Sequence, residues 1–447
     1  MIQQETICAL ATPSGVGAIG VIRVSGDKTF SIVNQLFRGK NLMEVDSHTV
    51  HFGTIRDRET IIDEVLVCVF KSPKSFTKED TVEISCHGSD YIIRQILKLL
   101  VKEGARLAKP GEFTQRAFLN GQFDLVQAEA VADLIAADSA ASHRTALTQL
   151  RGGFSRQLAS LRQELIHFAS LVELELDFGE EDVEFADRDD LKALIINLQK
   201  TITPLIESFD FGNALKEGIP VAIIGAPNVG KSTLLNALLN EEKAIVTAIA
   251  GTTRDVIEDV LYIGGIKFRI IDTAGIRETQ DIVESIGIER SKQAIQKAEV
   301  VLMIYDSEET YLEILPLAEG KKVIWVQNKV DLTFTLKENI NRKVIGNPIA
   351  ISAKTGVGLD GLKEAITKTQ IQQTQNSTTI TNLRHYEHLV KTQASLTDAL
   401  NGLEMGITGD FLAQDIRLAL HHLGEITGQI VNDDLLANIF SKFCIGK

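Results

Sequence analysis

Cysteine is scarce in this chain. There are four in 447 residues, Cys8, Cys68, Cys86 and Cys444, and no C-x-x-C pair among them. That scatter suits a reducing compartment and argues against a structural zinc site. Basic residues are in deficit, with 46 Lys and Arg against 60 Asp and Glu, a net charge of -14. Such a balance argues against a non-specific polyanion binder, so any nucleic-acid contact needs a local basic patch or a partner protein. Long apolar runs are missing too: none approaches the ~20 residues of a membrane span. The N-terminus lacks the basic start and small-residue cleavage site of a signal peptide, and a cytoplasmic location with no membrane contact is expected.

What is present is an ordinary globular balance, 44% apolar and 24% charged residues. The length suggests roughly three domains on a soft prior of about 150 residues each. The strongest local signal is Gly225-Ala226-Pro227-Asn228-Val229-Gly230-Lys231-Ser232, which fits G-x-x-x-x-G-K-[ST]. An apolar run, Pro220 to Ile224, precedes it and a helical pattern, Thr233 to Leu239, follows, so the glycines fall on a strand-to-helix turn. There, backbone N–H groups converge on phosphate oxygens, Lys231 reaches the outer phosphates and the Ser232 hydroxyl can hold Mg²⁺.

Taken in order, residues from Thr6 to about Phe118 alternate β-branched runs with turns and two helical stretches, an α+β pattern. Gly15, Gly17 and Gly20 match the dinucleotide fingerprint, but Val21 to Val24 continues as a strand where that fingerprint needs a helix. From Leu119 the pattern turns helical, with an Ala-rich stretch over Gln127 to Ala141 and a long helix over Leu191 to Phe209; the acidic turn Glu180 to Glu184 reads as a solvated loop. Between Gly218 and about Thr369, short apolar strands alternate with helix-length segments, which implies a mostly parallel, doubly wound sheet. A polar stretch, Gln370 to Thr381, reads as a linker, and Leu383 to Phe443 is helical again. The fold class is multidomain α/β: an α+β domain over 1–118, a helical domain made of 119–212 and 371–447, and a P-loop α/β domain over 213–370 inserted between them.

Four more elements follow the P-loop in the order a GTP-binding domain requires. Gly251-Thr252-Thr253-Arg254-Asp255 offers Thr253 to complete a Mg²⁺ shell when a γ-phosphate is present. Asp272-Thr273-Ala274-Gly275 follows a strand, where its carboxylate can hold the Mg²⁺ shell and the Gly275 N–H can meet the γ-phosphate. Asn328-Lys329-Val330-Asp331 ends another, and the two acceptors of Asp331 match the N1–H and amine of guanine, a donor pair adenine lacks. Ser352-Ala353-Lys354 closes on the base. The position after Gly275 is Ile276, which cannot orient water as a glutamine does.

These motifs, with Val82 to Gly88, Gly111-Glu112-Phe113-Thr114, Arg116 to Gly121 and the terminal Cys444-Ile445-Gly446-Lys447, resemble the MnmE (TrmE) family of tRNA modification GTPases over the whole chain. The resemblance implies a homodimer whose G domains pair, with K⁺ bound, to activate hydrolysis. It places K⁺ on Asn228 with oxygens from Thr247, Ile249 and Thr252, and the water-orienting acid on Glu284 beside the catalytic Lys231. GTP contacts then fall on Asn228, Val229, Gly230, Lys231, Ser232 and Thr233, on Thr247, Ala248, Ile249, Ala250, Gly251, Thr252 and Thr253, and on Asp272, Thr273, Ala274 and Gly275. The base loops complete the set with Asn328, Lys329, Asp331, Ser352, Ala353 and Lys354.

The same resemblance gives the first domain 5-formyltetrahydrofolate or a related one-carbon folate, held by Arg23, Glu83, Gln122 and Lys447. Gln122 departs from the family, which usually has Lys there. Arg23 and Glu83 read equally well as a strand-to-strand ion pair. Cys444 reads either as a thiol near the one-carbon donor or as a buried structural cysteine. The implied partners are MnmG (GidA), which uses FAD and NADH, and tRNA, mostly through that partner. The alternatives are an Era- or Der-like ribosome-assembly GTPase and a folate-binding scaffold switched by GTP. Era and Der types append a K-homology domain or duplicate the G domain, and here there is one G domain and no G-x-x-G clamp preceded by a basic strand.

Overall fold

The computed structural model describes residues 5–177, 188–242, 259–271, 284–318, 323–332, 347–376, 379–406, 409–443 and 445–446. They cluster into two compact units, one of residues 1–135, 148–191 and 395–447, the other of residues 136–147 and 192–394.

The first unit begins with a seven-stranded sheet in the order β3-β4-β5-β6-β2-β1-β7. Its long strands are β2 (Ile19–Ser25), β4 (Thr49–Asp57), β5 (Thr60–Phe70) and β6 (Thr81–His87); β1 (Ile7–Leu10), β3 (Phe37–Arg38) and β7 (Arg106–Leu107) are short. All pairings are antiparallel except β1 with β7. Burial alternates along β6, where Val82, Ile84 and Cys86 are buried while Glu83 and Ser85 are half-buried, the period-2 signature of a sheet packed on one face. The packed face is covered by helices Thr29–Leu36 and Asp90–Lys102. The second buries Ile93, Ile96, Leu99 and Leu100, an i, i+3, i+6, i+7 stripe, and carries Asp90 in its first turn and Lys102 in its last, the favourable sense for the helix dipole. Gly20 lies inside β2, which runs on to Ser25, so no helix opens at the third glycine as a dinucleotide fingerprint requires.

The helical part of this unit joins two distant stretches of sequence. Helix Gly153–Asp177 packs against helix Gly409–Thr427, with Leu158, Leu161, Leu165, Phe168 and Val172 buried on one and Leu412, Ala413, Ile416, Ala419 and Leu423 on the other. Arg417 and Glu173 pair at 3.3 Å along the seam. The last helix, Asp433–Ser441, capped by the Asn432 side chain accepting from the Leu435 N–H at 2.7 Å, buries Leu436 and Phe440 against Leu125 and Ala128.

The second unit holds a six-stranded sheet in the order β13-β12-β11-β8-β10-β9. Its strands are β8 (Ile219–Gly225), β9 (Val260–Ile263), β10 (Ile266–Ile270), β11 (Val300–Tyr305), β12 (Val323–Gln327) and β13 (Ile349–Ala350), parallel throughout except the β9–β10 hairpin. Both faces are buried. Val221 and Ile223 face Leu234, Leu235 and Leu238 of helix Lys231–Glu242, whereas Ala222 and Ile224 face Tyr305, Tyr311 and Trp325. The chain leaves β8 to one side for β10 and then to the other for β11, so β8 ends at a topological switch point, where ligands of such sheets bind.

Insertion of this sheet into the helical sequence is visible where the chain enters and leaves. The Ile380 N–H donates to Ser208 Oγ at 3.1 Å, and the rings of Phe209 and Tyr386 stack at 4.5 Å. Gly212 lies so close to the Ile380 carbonyl that any side chain there would collide with it.

Three element expectations need correction. The Ala-rich stretch 127–141 is two helices, Leu125–Ala136 and Ala140–Leu150, because Ser139 and Ser142 form a reciprocal cap: each hydroxyl accepts the other's backbone N–H, at 3.1 and 3.2 Å. The long helix expected to end at Phe209 stops at Glu207, and a separate helix, Phe209–Glu217, follows. The polar linker begins later than composition suggests, since helix Leu359–Asn376 runs through Gln370 to Asn376, a segment with no Gly or Pro to stop it. The acidic turn 180–184 lies outside the described residues.

Candidate functional site

The phosphate loop is built where β8 ends and helix Lys231–Glu242 begins. A loop that turns its N–H groups toward an anion must turn its carbonyls away, and those carbonyls then need donors behind the loop. The chain supplies them from the base-recognition motif. Asn328 Nδ2 donates to the Val229 carbonyl at 2.8 Å, and Lys329 Nζ donates to the Asn228 carbonyl at 2.7 Å. The other end of the Asn328 amide, Oδ1, accepts the Ala353 N–H at 3.0 Å, so one buried side chain ties the P-loop to the Ser352-Ala353-Lys354 turn. Gly230, at φ +99°, lies against the Asn328 amide so closely that a Cβ would displace it, which explains the second glycine of the motif. Asn228 itself takes φ +62°, a left-handed conformation that asparagine tolerates better than most residues.

Lys231 Nζ donates to the Gly225 and Ala226 carbonyls at 2.7 and 2.9 Å, bending over the loop it belongs to. Burial lowers its pKa from the ordinary lysine value, partly offset by the charge of Glu313. An ammonium desolvated in this way gains strongly from an anionic partner. Val229 is buried, Ser232 is half-buried and Thr233 exposed on the first turn of the helix. Asp331 stands exposed in a short 3₁₀ turn, Val330–Leu332, just beyond β12, while the backbone of that turn is pinned by the Val330 N–H on Ile351 O at 3.2 Å. Ser352 is fully buried, with its hydroxyl accepting from the Thr355 N–H at 3.3 Å, and Lys354 is exposed beside it. Thus Asn228, Val229, Gly230, Lys231, Asn328, Lys329 and Ala353 are brought together at one end of one sheet.

Thr247, Ala248, Ile249, Ala250, Gly251, Thr252 and Thr253 lie outside the described residues, as do Asp272, Thr273, Ala274 and Gly275; the description stops at Ile271, whose N–H bonds Val221 O at 2.9 Å. Glu284 opens helix Glu284–Lys297, its side chain outside the described residues. The donor chemistry suits the expected ions: the exposed Asn228 bears an amide oxygen appropriate to a monovalent cation, and the hydroxyl of Ser232 is a hard oxygen appropriate to Mg²⁺.

In the first unit, Arg23 and Glu83 are register partners on β2 and β6, joined by Nε and Nη2 to Oε1 at 2.9 and 2.8 Å. The guanidinium also lies over the rings of Phe76 and Phe113, 5.5 and 5.6 Å from their centroids. Its Nη1 reaches the Gly446 carbonyl at 3.4 Å, which brings the chain's end to the sheet. Gln122 is exposed, and its neighbour Phe123 packs on Phe76 at 5.8 Å. Cys444 and Lys447 lie outside the described residues. The ion-pair and ligand readings of Arg23 and Glu83 are therefore compatible: the pair exists, and both side chains are half-buried.

Two residues further along β2, at Ser25, begins a network that sequence reading missed. Buried Arg116 lies between Glu112, at 3.0 Å, and Glu79, at 3.3 Å, and Glu79 accepts from Ser25 Oγ at 2.7 Å. Burial alone pushes the Glu112 carboxyl up, but hydrogen bonds from Arg106, the Lys109 N–H and Arg116 outweigh it and hold the pKa at about 2. The i, i+4 spacing of Glu112 and Arg116 was the available signal; Glu79 gave none. Burial raises the thiol pKa of Cys8 and Cys86 to about 11, and burial together with Glu83 raises that of Cys68, so none of the three is an activated nucleophile.

A doubly wound parallel sheet with a P-loop at its switch point, tied to an N-K-x-D turn, defines a P-loop GTP hydrolase. Comparison with known proteins narrows this. Residues 6–122 match the family model of the GTP-binding protein TrmE N-terminus, and residues 125–444 match that of the MnmE helical domain. The chain is 55% identical to the tRNA modification GTPase MnmE of Cytophaga hutchinsonii, over 99% of this chain and 98% of that relative. It is 53% identical to the protein of the same name from Flavobacterium johnsoniae over the whole of both chains, and 52% to that of Christiangramia forsetii over 99% of each. The chain belongs to the MnmE family of tRNA modification GTPases. That sets aside the Era- or Der-like alternative.

Proposed function

We propose that this GTPase is K⁺-dependent and acts with MnmG (GidA) to add a carboxymethylaminomethyl or aminomethyl group at C5 of the tRNA wobble uridine, hydrolysis being activated when the G domains of a homodimer pair. The observation that carries the nucleotide half of the reading is the double tether of the P-loop carbonyls by Asn328 and Lys329. It links the phosphate loop to the base loop and so couples nucleotide identity to phosphate geometry. The relatives' name carries the tRNA half. On a chain of net charge -14, tRNA is held mostly through the partner.

In this reading, water attacks the γ-phosphate in line. Lys231 exchanges its two carbonyl partners for the outer phosphates, and the charge it brings is worth more in a site from which water is excluded. Asp331 accepts from the guanine edge, with Ser352, Ala353 and Lys354 closing over the base. Ile276 is apolar, so Glu284 takes the water-orienting role through a bridging water. Ser232 and Thr253 would hold Mg²⁺, and Asn228, Thr247, Ile249 and Thr252 would hold K⁺; when bound, these ions supply positive charge against the phosphate oxygens. Arg23, Glu83, Gln122 and Lys447 would hold 5-formyltetrahydrofolate or a relative, with Cys444 near its one-carbon group. The half-buried Arg23 guanidinium offers donors and the Glu83 carboxylate acceptors to a polar heterocycle. The domain limits proposed are 1–118, 119–212, 213–370 and 371–447, in a cytoplasmic protein; among the described residues no helix is long and apolar enough to cross a membrane.

The test is multiple-turnover GTP hydrolysis in KCl and in NaCl, paired with mass spectrometry of wobble nucleosides from cells lacking the protein. Faster turnover in KCl and loss of the modified uridine are expected. Equal rates in the two salts would remove the K⁺ mechanism, and unchanged nucleosides would remove the tRNA role.

A further inference from the structure

Lys329 is a flexible side chain whose ammonium would ordinarily prefer water to a single neutral carbonyl. Its place against the Asn228 carbonyl therefore needs a cause. The structure supplies one in Asp306, the residue after β11, whose Oδ2 accepts from Lys329 Nζ at 2.6 Å. A carboxylate adds the attraction of opposite charges to the hydrogen bond, which a neutral carbonyl cannot. Asp306 is itself held: its N–H donates to Thr310 Oγ1 at 3.1 Å, and its Oδ1 lies 3.1 Å from the same hydroxyl. Thr310 is part of the capping box of helix Glu308–Ile314 with Ser307. The strand end is anchored by the preceding Tyr305, fully buried with its ring 5.2 Å from that of Tyr311 and 6.2 Å from that of Trp325. A rigid chain of contacts thus runs from a helix cap through Asp306 and Lys329 to a P-loop residue in the left-handed conformation.

We propose that Asp306 is a positioning residue of the nucleotide site, fixing Lys329 against the Asn228 carbonyl and thereby preorganising the phosphate loop. The proposal rests on the GTPase reading. It assigns Asp306 no contact with nucleotide, so base choice stays with Asp331 while affinity depends on Asp306.

The experiment measures dissociation of a fluorescent GDP from the full chain carrying Asp306→Asn, Lys329→Met, or both. Asp306→Asn, which keeps shape and removes charge, should weaken GDP binding about tenfold, and preference for GDP over ADP should persist. The double variant should bind no more weakly than Lys329→Met alone, and Asp306→Glu should recover part of the loss. Affinity within twofold of the parent for Asp306→Asn, or losses that multiply in the double variant, would overturn the proposal. If Asp306→Asn does not fold, Thr310→Val serves instead: it frees the carboxylate without removing it and should weaken binding about threefold; an unchanged affinity counts against the proposal. Failure of the parent protein itself to bind GDP would overturn the GTPase reading rather than the role of Asp306.

Discussion

The two sheets of this molecule place polar chemistry in opposite ways. In the nucleotide-binding sheet both faces are buried, so the polar groups of the site are confined to loops at the strand ends, and the loop is held from behind through its backbone carbonyls, those of Gly225, Ala226, Asn228 and Val229, each with a named donor. In the N-terminal sheet one face is covered and the other carries side chains directly, Arg23 opposite Glu83 with the chain's end laid across them. The difference teaches where rigidity comes from. A loop site is rigid because its backbone is tethered from behind. A face site is rigid because charged groups such as Arg116, Glu112 and Glu79 lock one another beside it, through Ser25 of the same strand.

The contrast can be broken experimentally. Lys231→Ala should cost GTP hydrolysis about 10³-fold, the scale of removing a charge-stabilising donor, while leaving the thermal stability of the N-terminal sheet intact; turnover assays and calorimetry read the two halves separately. Arg116→Met should do the reverse. It strands the carboxylates of Glu79 and Glu112 in a buried site, a loss of about 3–5 kcal/mol in unfolding free energy, with GDP affinity unchanged. The pH dependence follows from Glu112, whose folded pKa of about 2 lies below its ordinary value of 4.5. Its contribution is fully present above pH 4.5 and is lost as pH falls toward 2, a difference of about 3 kcal/mol. Glu112→Gln should therefore flatten the acid limb of a stability–pH curve, and an unflattened limb would remove Glu112 from the network. The smallest effect expected is Arg23→Gln: on the proposed folate reading it should weaken 5-formyltetrahydrofolate binding about tenfold, read by fluorescence titration, the loss expected for one charge-assisted contact.

This division also explains what the amino-acid order made legible. The P-loop, N-K-x-D and S-A-K elements are contiguous because each is a backbone turn, and a turn must be written in neighbouring residues. The strands of the α/β sheet were readable from their short apolar runs, and only β9, four residues long at the hairpin, escaped notice. The packing of Arg23 on Phe76 and Phe113 was not legible, since its members are spread over 90 positions and meet only after the sheet forms. Asp306 was passed over for a related reason: it lies outside every motif and matters only through Lys329. The breaks at Ser139 and after Glu207 were hidden because alanine-rich and leucine-rich periodicity continues across them.

The hairpin of β9 and β10 carries a further implication. Its Gly265 carbonyl accepts the Ala141 N–H at 2.9 Å, and Lys267 Nζ and Tyr262 Oη both bind the Asp138 carboxylate, at 2.7 and 3.2 Å. Residues 136–147, remote in sequence from the G domain, cluster with it for this reason. A G domain excised at 213–370 would therefore leave part of its own surface behind, with a lysine and a tyrosine stripped of their acid and two adjacent glycines facing water at the hairpin tip. Kinetics measured on such a fragment would describe a looser protein than the one the full chain folds into, and the β9–β10 hairpin is where the discrepancy would be felt first.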